Sequence, residues 1–419
     1  MERTLLVTIK LDSEKDSWKI EDTAAELEEL AHTCGAEVVD NIWCHRDKPT
    51  ANFFIGKGKA EELVCICQEE KIDTVIFSHD FSGTQQRNLE KLVGKKTIDR
   101  TQLILDIFAR HAKTPEGKMQ VELAQLGYLL PRLVGKGVIL SRLGGGIGTR
   151  GPGEQKLEVD RRRLRKKIEK LQGDLKHLSL HRATLRKKRK ENATPTVALV
   201  GYTSAGKSTL LNTLTNTNQP VRESLFTTLD PISRTLRLGN GQNIIISDTV
   251  GFLNNLPHHL VEAFKATLEE VKEADLLIHV LDVANSLVYE RQKAVVNVLK
   301  ELCAEEKPII TALNKIDLID DKPWLHSLSK DFVHPVFISA KFKQGINLLL
   351  EKIQEHFQPT MALWKGLIPY SRMELVDLFY RQGRVEKIEY QQRGIKITAN
   401  IPKPFLYNLL KEKEIGNIS

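Results

Sequence analysis

The chain has 419 residues, with 62 Lys and Arg against 54 Asp and Glu and a formal net charge of +8. That length predicts two to four domains, and an apolar content of 41% is enough for ordinary globular cores. No apolar run approaches the length of a membrane span, and Met1-Glu2-Arg3-Thr4 lacks a signal-peptide pattern, so stable membrane insertion and export are not expected. The five cysteines, Cys34, Cys44, Cys65, Cys67 and Cys303, show no zinc spacing. They point to a reducing cytoplasm, a location that still allows peripheral association with a membrane.

Residues 1–112 read as a small α/β domain. Thr4–Leu11 alternates like a strand, Asp16–Thr33 has a helical period, and Gly35 stands where a helix would end. Ala36–His45 is a second strand, Gly58–Lys71 a helix, and Thr74–Ser78 a third strand. Ser82 is placed to cap the helix Gln85–Val93. Thr97–Leu105 is ambiguous, with Asp99 available to cap a helix reaching Ala112. Strands alternating with helices predict a mainly parallel sheet. The glycines and lysines of Phe53–Lys59 match no phosphate motif closely and read as a turn.

Residues 113–192 read as a basic helical hairpin. Met119–Leu133 is amphipathic, with Leu123, Leu126, Leu130 and Leu133 on one stripe. From about Glu154 a charged helix follows, with Leu157, Leu164, Leu171, Leu178 and Leu185 at heptad spacing; Arg161, Arg182 and Gly173 interrupt that seam. Residues 150–191 hold 16 Lys/Arg and 6 Asp/Glu, a balance of +10, so the rest of the chain is about −2. Between the helices, residues 134–153 carry eight glycines. A loop so long and so poor in side chains cannot build its own core. On a basic hairpin it suits RNA rather than DNA, with Arg142 and Arg150 on phosphates and Gly144, Gly145 and Gly146 allowing close backbone approach.

Residues 195–358 carry the chemistry. The apolar run Thr196–Val200 leads into Gly201-Tyr202-Thr203-Ser204-Ala205-Gly206-Lys207-Ser208-Thr209, and a helical segment follows. This is G-x-x-x-x-G-K-S in its strand–loop–helix context. Its glycines bring backbone N–H groups to phosphate oxygens, and the helix adds its positive end. Lys207 is expected on the β- and γ-phosphates and the Ser208 hydroxyl on Mg²⁺. Asp248 ends the strand Asn243–Ser247 and is placed to hold Mg²⁺ through water. The Gly251 N–H can meet a γ-phosphate.

Asn314-Lys315-Ile316-Asp317 follows another apolar run. Asp317 can accept N1–H and the 2-amino group of guanine, donors that adenine lacks there, and a wrong base leaves buried groups unpaired. Ser339-Ala340-Lys341 ends a third run, where a backbone N–H could reach guanine O6. NKxD alone is common; four such words in order, each at a strand's carboxyl end, specify a P-loop GTPase domain with a mainly parallel sheet. Residues 360–419 read as a small α/β tail. It comprises the strand Trp364–Pro369, a Ser371-x-x-Glu374 capping box opening a helix to Gln382, a hairpin of Arg384–Tyr390 and Ile395–Ile401, and a helix Pro404–Lys413.

Taken together the chain resembles the HflX family of ribosome-associated GTPases. The resemblance rests on Phe54–Lys59, Gln120–Leu126, Gly144–Glu154, the P-loop, Leu225–Asp230 and Asp248–Phe252. It implies an N-terminal α/β domain, a helical hairpin, a GTP-binding domain and a variable C-terminal domain. It also implies binding to the large ribosomal subunit and its rRNA, and GTP-dependent splitting of stalled or stress-arrested ribosomes; the chain itself is expected to be a monomer. The alternative is an RNA-binding or assembly factor gated by GTP that splits nothing. Where the family usually has Asn, this chain has Ser204, so potassium-stimulated hydrolysis is not carried over. The first switch falls in Leu225–Asp230. The resemblance makes Thr228 its Mg²⁺ ligand, whereas the residues alone leave Thr227 equally placed. After Gly251 comes Phe252, where signalling GTPases carry a water-positioning Gln. Phe cannot orient water by hydrogen bonds, so slow intrinsic hydrolysis is expected.

Overall fold

The computed structural model describes residues 2–13, 18–133, 152–191, 194–217, 225–226, 228–255, 257, 260, 265–411 and 416–417. The chain divides into two compact units. One holds residues up to Leu178 together with 223–229 and 256–265, and the other holds the remainder. Among the described residues no helix is long and apolar enough to cross a membrane.

The first unit is built on four parallel strands, β1 (Arg3–Leu11), β2 (Glu37–Arg46), β3 (Thr74–Phe77) and β4 (Lys96–Ile98), in the order β2-β1-β3-β4. Helices α1 (Ile20–Thr33), α2 (Lys57–Glu69), α3 (Gly83–Val93) and α4 (Arg100–His111) connect or follow them. The expected caps form. Ser82 and Gln85 make a reciprocal capping box at α3, and the Asp99 carboxylate accepts the Gln102 N–H at 2.8 Å at α4. The ambiguous stretch after Thr97 therefore splits at Asp99 into a short strand and a helix. Helix α5 (Pro115–Arg132) begins earlier than its apolar stripe. Thr114 caps it through Gly117 N–H at 2.9 Å, and Pro115 sits in the first turn, where its missing N–H costs nothing.

Helix α6 (Pro152–Glu191) runs 40 residues. Of its described heptad positions only Leu171 is buried, while Leu164, Ile168, Leu175 and Leu178 are half-covered. A Lys167–Glu122 ion pair joins α6 to α5. The Gly-rich stretch, with Arg142, Gly144, Gly145, Gly146 and Arg150, lies outside the described residues.

The second unit holds a six-stranded sheet in the order β10-β9-β8-β5-β7-β6. Its strands are β5 (Thr196–Val200), β6 (Ile232–Arg237), β7 (Asn243–Asp248), β8 (Leu276–Asp282), β9 (Ile309–Asn314) and β10 (Pro335–Phe337). Only β6 and β7 pair antiparallel, so the other strands end on one side of the sheet. Every residue of β8 is buried, as a central parallel strand covered on both faces requires. Helix α7 (Lys207–Thr215) and the helix Ile346–Phe357 cover one face through Leu210, Leu214, Leu349 and Ile353.

The tail is an antiparallel sheet of β11 (Met361–Ile368), β12 (Arg384–Gln391), β13 (Gly394–Pro402) and β14 (Gly416–Asn417), ordered β12-β13-β11-β14. It packs on the β6–β7 hairpin. Arg237 and Asn243 donate to the carbonyls of Tyr380 and Arg381, and a Cβ on Gly241 would lie 2.6 Å from Gly383 O. The expected Ser371 capping box does not form. A 3₁₀ turn over Tyr370–Arg372 delivers the chain, and Glu374 pairs with Arg372 Nε at 3.2 Å.

The α5 helix is fixed by a buried charge. Asp99 is fully buried, and its carboxylate accepts from Arg132 Nη2 at 2.7 Å. The Arg132 guanidinium also lies 3.4 Å from the centre of the Tyr128 ring. Burial, then the neighbouring Asp80, raises the Asp99 pKa, so the pair depends on both partners. Removing one partner of a buried pair leaves the other charge stranded, so Asp99→Ala is expected to lower stability by about 3–5 kcal/mol. Urea unfolding of the purified variant checks this, and a midpoint equal to the parent's would show the pair to be dispensable.

Candidate nucleotide site

The site is built where β5, β7, β9 and β10 end. The chain leaves β5 through Gly201, passes Ser204 in left-handed backbone at φ +58, and enters α7 at Gly206 with φ +99. A Cβ on Gly206 would lie 2.3 Å from Asn314 Nδ2, so only glycine fits there. The loop closes round the head of Lys207, whose Nζ donates to Gly201 O at 3.1 Å and Tyr202 O at 2.8 Å. Lys207 is 6% exposed. Burial lowers its pKa to about 8, against a smaller opposing pull from Asp248.

Asp248 is fully buried, and the Ser208 hydroxyl donates to its carboxylate at 2.6 Å. A hydroxyl and a carboxylate side by side are hard oxygen donors of the kind Mg²⁺ takes, and the residues fit that ion. Thr249 donates to Leu199 O at 2.7 Å, which ties the following segment to β5.

On the other side, Asn314 joins two loops. Its Nδ2 donates to Ala205 O at 2.8 Å, and its Oδ1 accepts Ala340 N–H at 3.0 Å. Thr213 of α7 donates to Ala340 O at 2.8 Å. Lys315, at φ +68, extends to Asp282 Oδ2 at 2.7 Å. Asp317 is exposed in a single 3₁₀ turn, and Ser339 is fully buried with its hydroxyl accepting Phe342 N–H at 3.2 Å. Gly201 to Thr209, Asp248, Gly251, Asn314, Lys315, Asp317 and Ser339 to Lys341 therefore all lie at one end of one sheet.

Of the segment expected to form the first switch, residues 225–229 belong to the other compact unit. There Leu225 N–H donates to the Thr33 hydroxyl at 3.3 Å, and the Phe226 ring meets Phe108 edge-on with centroids 4.5 Å apart. Leu225, Phe226, Thr228 and Leu229 are all buried. Thr227 is outside the described residues.

Three contacts escape a reading of the residues alone: Asp282 on Lys315, Thr213 on Ala340, and the Tyr202 hydroxyl accepting Asn254 N–H at 2.9 Å. An Asp ending a buried strand next to the NKxD strand is the one local signal that could have found the first.

Models of known families match most of the chain. Residues 21–109 match "GTP-binding GTPase N-terminal", 111–189 match "GTP-binding GTPase Middle Region", and 196–315 match "50S ribosome-binding GTPase". A protein named GTPase HflX from Caldanaerobacter subterraneus subsp. tengcongensis is 48% identical over 400 residues, 96% of this chain and 91% of that one. The protein of that name from Escherichia coli K12 is 40% identical over 406 residues, 97% and 94% of the two chains. The crystal structure of a GTP-binding protein from Sulfolobus solfataricus in complex with GDP aligns with a TM-score of 0.45 and 26% identity, covering 86% of this chain and 99% of that one.

Lys207 predicts a pH dependence. With a pKa of about 8, its ammonium is charged below that pH and lost above it. Binding of an anionic diphosphate requires the charged form, so above that pH binding must take up a proton. GDP affinity is expected to be flat below about pH 7.5 and to weaken towards about tenfold per unit above about pH 8. His279, lowered to about 4 by burial and then by Lys207, stays neutral across this range and adds nothing. Fluorescence titration of GDP at stepped pH checks this, and a flat affinity through pH 9 would contradict it.

Proposed function

The chain belongs to the HflX family of GTPases, and from that premise we propose that it binds the large ribosomal subunit and uses GTP binding and hydrolysis to split or rescue stalled and stress-arrested ribosomes. The observation that carries this is the 40-residue helix α6, with its strongly basic sequence and largely exposed described face. It runs directly out of the Gly-rich stretch and into a domain whose model is described as a 50S ribosome-binding GTPase. Such a helix gives rRNA phosphates a column of cations, while Arg142 and Arg150 flank backbone-rich Gly144, Gly145 and Gly146 at the contact.

In this reading the P-loop backbone from Gly201 to Thr209 and Lys207 bind the phosphates. Ser208 and Thr228 ligate Mg²⁺, and Asp248 holds it through water. When bound, Mg²⁺ would supply charge neutralisation on the phosphates. The Gly251 N–H meets the γ-phosphate. Asp317 reads the guanine edge, Asn314 keeps one amide N–H for the ring, and Lys315 flanks the base. The Ser339–Lys341 loop closes over O6. Phe252 supplies no hydrogen bond to water, so order in the switches comes from the ribosome.

Two measurements test this. Asp317→Asn removes an acceptor for two guanine donors and is expected to weaken GTP binding by about 100-fold or more. Xanthosine triphosphate, which presents an acceptor where guanine has its 2-amino group, should then bind better than GTP. Undiminished GTP affinity would remove Asp317 from the base site. Separately, purified large subunits are expected to raise kcat for GTP, and deletion of residues 144–153 to abolish the effect. Sucrose gradients should show GTP-dependent loss of intact ribosomes, and the affinity should fall steeply with salt. Stimulation and salt dependence without splitting would favour an assembly factor, and no stimulation at all would remove the ribosome as the activating partner.

A further inference from the structure

The segment after Asp248 closes onto the P-loop by a short parallel pairing. Phe252 N–H donates to Gly201 O at 3.1 Å, and Thr203 N–H donates to Phe252 O at 2.9 Å. Two residues further on, Asn254 N–H donates to the Tyr202 hydroxyl at 2.9 Å. Tyr202 is 3% exposed and Phe252 2%. The Arg291 guanidinium, from the helix Val288–Glu301, lies 4.9 Å from the centre of the Tyr202 ring. P-loops hold phosphates with backbone N–H groups, so a phenol at the first variable position is not needed for that task. Here its side chain is engaged by the segment after Asp248 instead.

The pairing brings Gly251 against Lys207. A Cβ built on Gly251 would lie 3.2 Å from Lys207 Nζ and 2.8 Å from Thr203 Cγ2. An ammonium has three donors. Two of those on Lys207 go to Gly201 O and Tyr202 O, which leaves one for phosphate in the space that Gly251 borders. A diphosphate and a triphosphate differ in what they ask of that space. The β-phosphate needs the loop backbone, whereas a γ-phosphate extends past Lys207 into the space that Gly251 borders.

We propose that Tyr202 is a specificity-determining residue, whose hydroxyl is the catch holding Gly251–Asn254 over the γ-phosphate seat and so sets how far the protein favours GDP over GTP. A ligand shifts a conformational equilibrium only by its differential affinity for the two states. GTP opens the catch and GDP need not, so loosening it acts on GTP affinity more than on GDP affinity. The inference concerns the nucleotide cycle alone and is independent of the ribosomal reading.

The test uses the full-length chain with Mg²⁺, a fluorescent GDP and a fluorescent non-hydrolysable GTP analogue. Tyr202→Phe removes the hydroxyl and keeps the ring. The ratio of the analogue's Kd to that of GDP is expected to fall about fivefold, the size of one neutral hydrogen bond. Arg291→Leu, which removes the ring's partner and keeps the hydroxyl, should move the ratio the same way by less. A ratio in Tyr202→Phe that is unchanged or raised, including a proportional change in both affinities as a merely structural role would give, overturns the proposal. If Tyr202→Phe does not yield folded protein by circular dichroism, the ratio in Arg291→Leu decides by the same criterion.

Discussion

One carboxamide holds the nucleotide end of the sheet together. Asn314 bonds Ala205 O with its nitrogen and Ala340 N–H with its oxygen, and so spans from the P-loop to the Ser339–Lys341 loop. It is 2% exposed, and buried polar groups left unpaired cost more than paired ones return. The two loops therefore keep one spacing, and Gly206 can have no side chain because Asn314 stands where its Cβ would be. The depth of Lys207 follows. A loop drawn tight round its head excludes water, and that exclusion is what lowers its pKa.

The segment expected to form the first switch obeys a different constraint. The P-loop side of the site is buried, hydrogen-bonded and bordered by central strands. The segment around Phe226 is packed by apolar contacts within the unit built on the N-terminal sheet, with Phe226 itself held at φ +56. A bulky side chain in left-handed backbone costs free energy, so it persists only where burial offsets the strain. On the proposed role of Thr228, Mg²⁺ coordination and this packing bear on residues two positions apart.

Features written in local sequence were legible. Ser82 with Gln85, Asp99 before its helix, and the hairpin around Gly394 each act within a few residues, and each appears at its place. The P-loop and NKxD words were legible for the same reason, since glycine and lysine are demanded by geometry inside one turn. Other features depend on what arrives from elsewhere. The Ser371 box has the right letters, but the preceding 3₁₀ turn points the chain so that Glu374 meets Arg372. The α6 heptads predict a seam, yet among the described positions only Leu171 is buried, because a seam needs a partner along its whole length. Tyr202 reads as a variable P-loop letter; its link to Asn254 spans 52 positions and leaves no local trace.

The absence of Gln after Gly251 fits with that link. A glutamine there would turn its amide toward water. Phe252 instead buries its side chain and pairs both backbone groups with the P-loop. Two backbone hydrogen bonds and the Tyr202 bond, at about 1 kcal/mol each, amount to about 3 kcal/mol, or a little over 100-fold in an equilibrium constant. That is far below the stability of a domain and within what contacts to one phosphate can supply. On the proposal that GTP opens this closure, contacts to one phosphate suffice to reverse it. On the proposed reading, Phe252 offers no side chain to orient water, and the ordering of this segment falls to the partner.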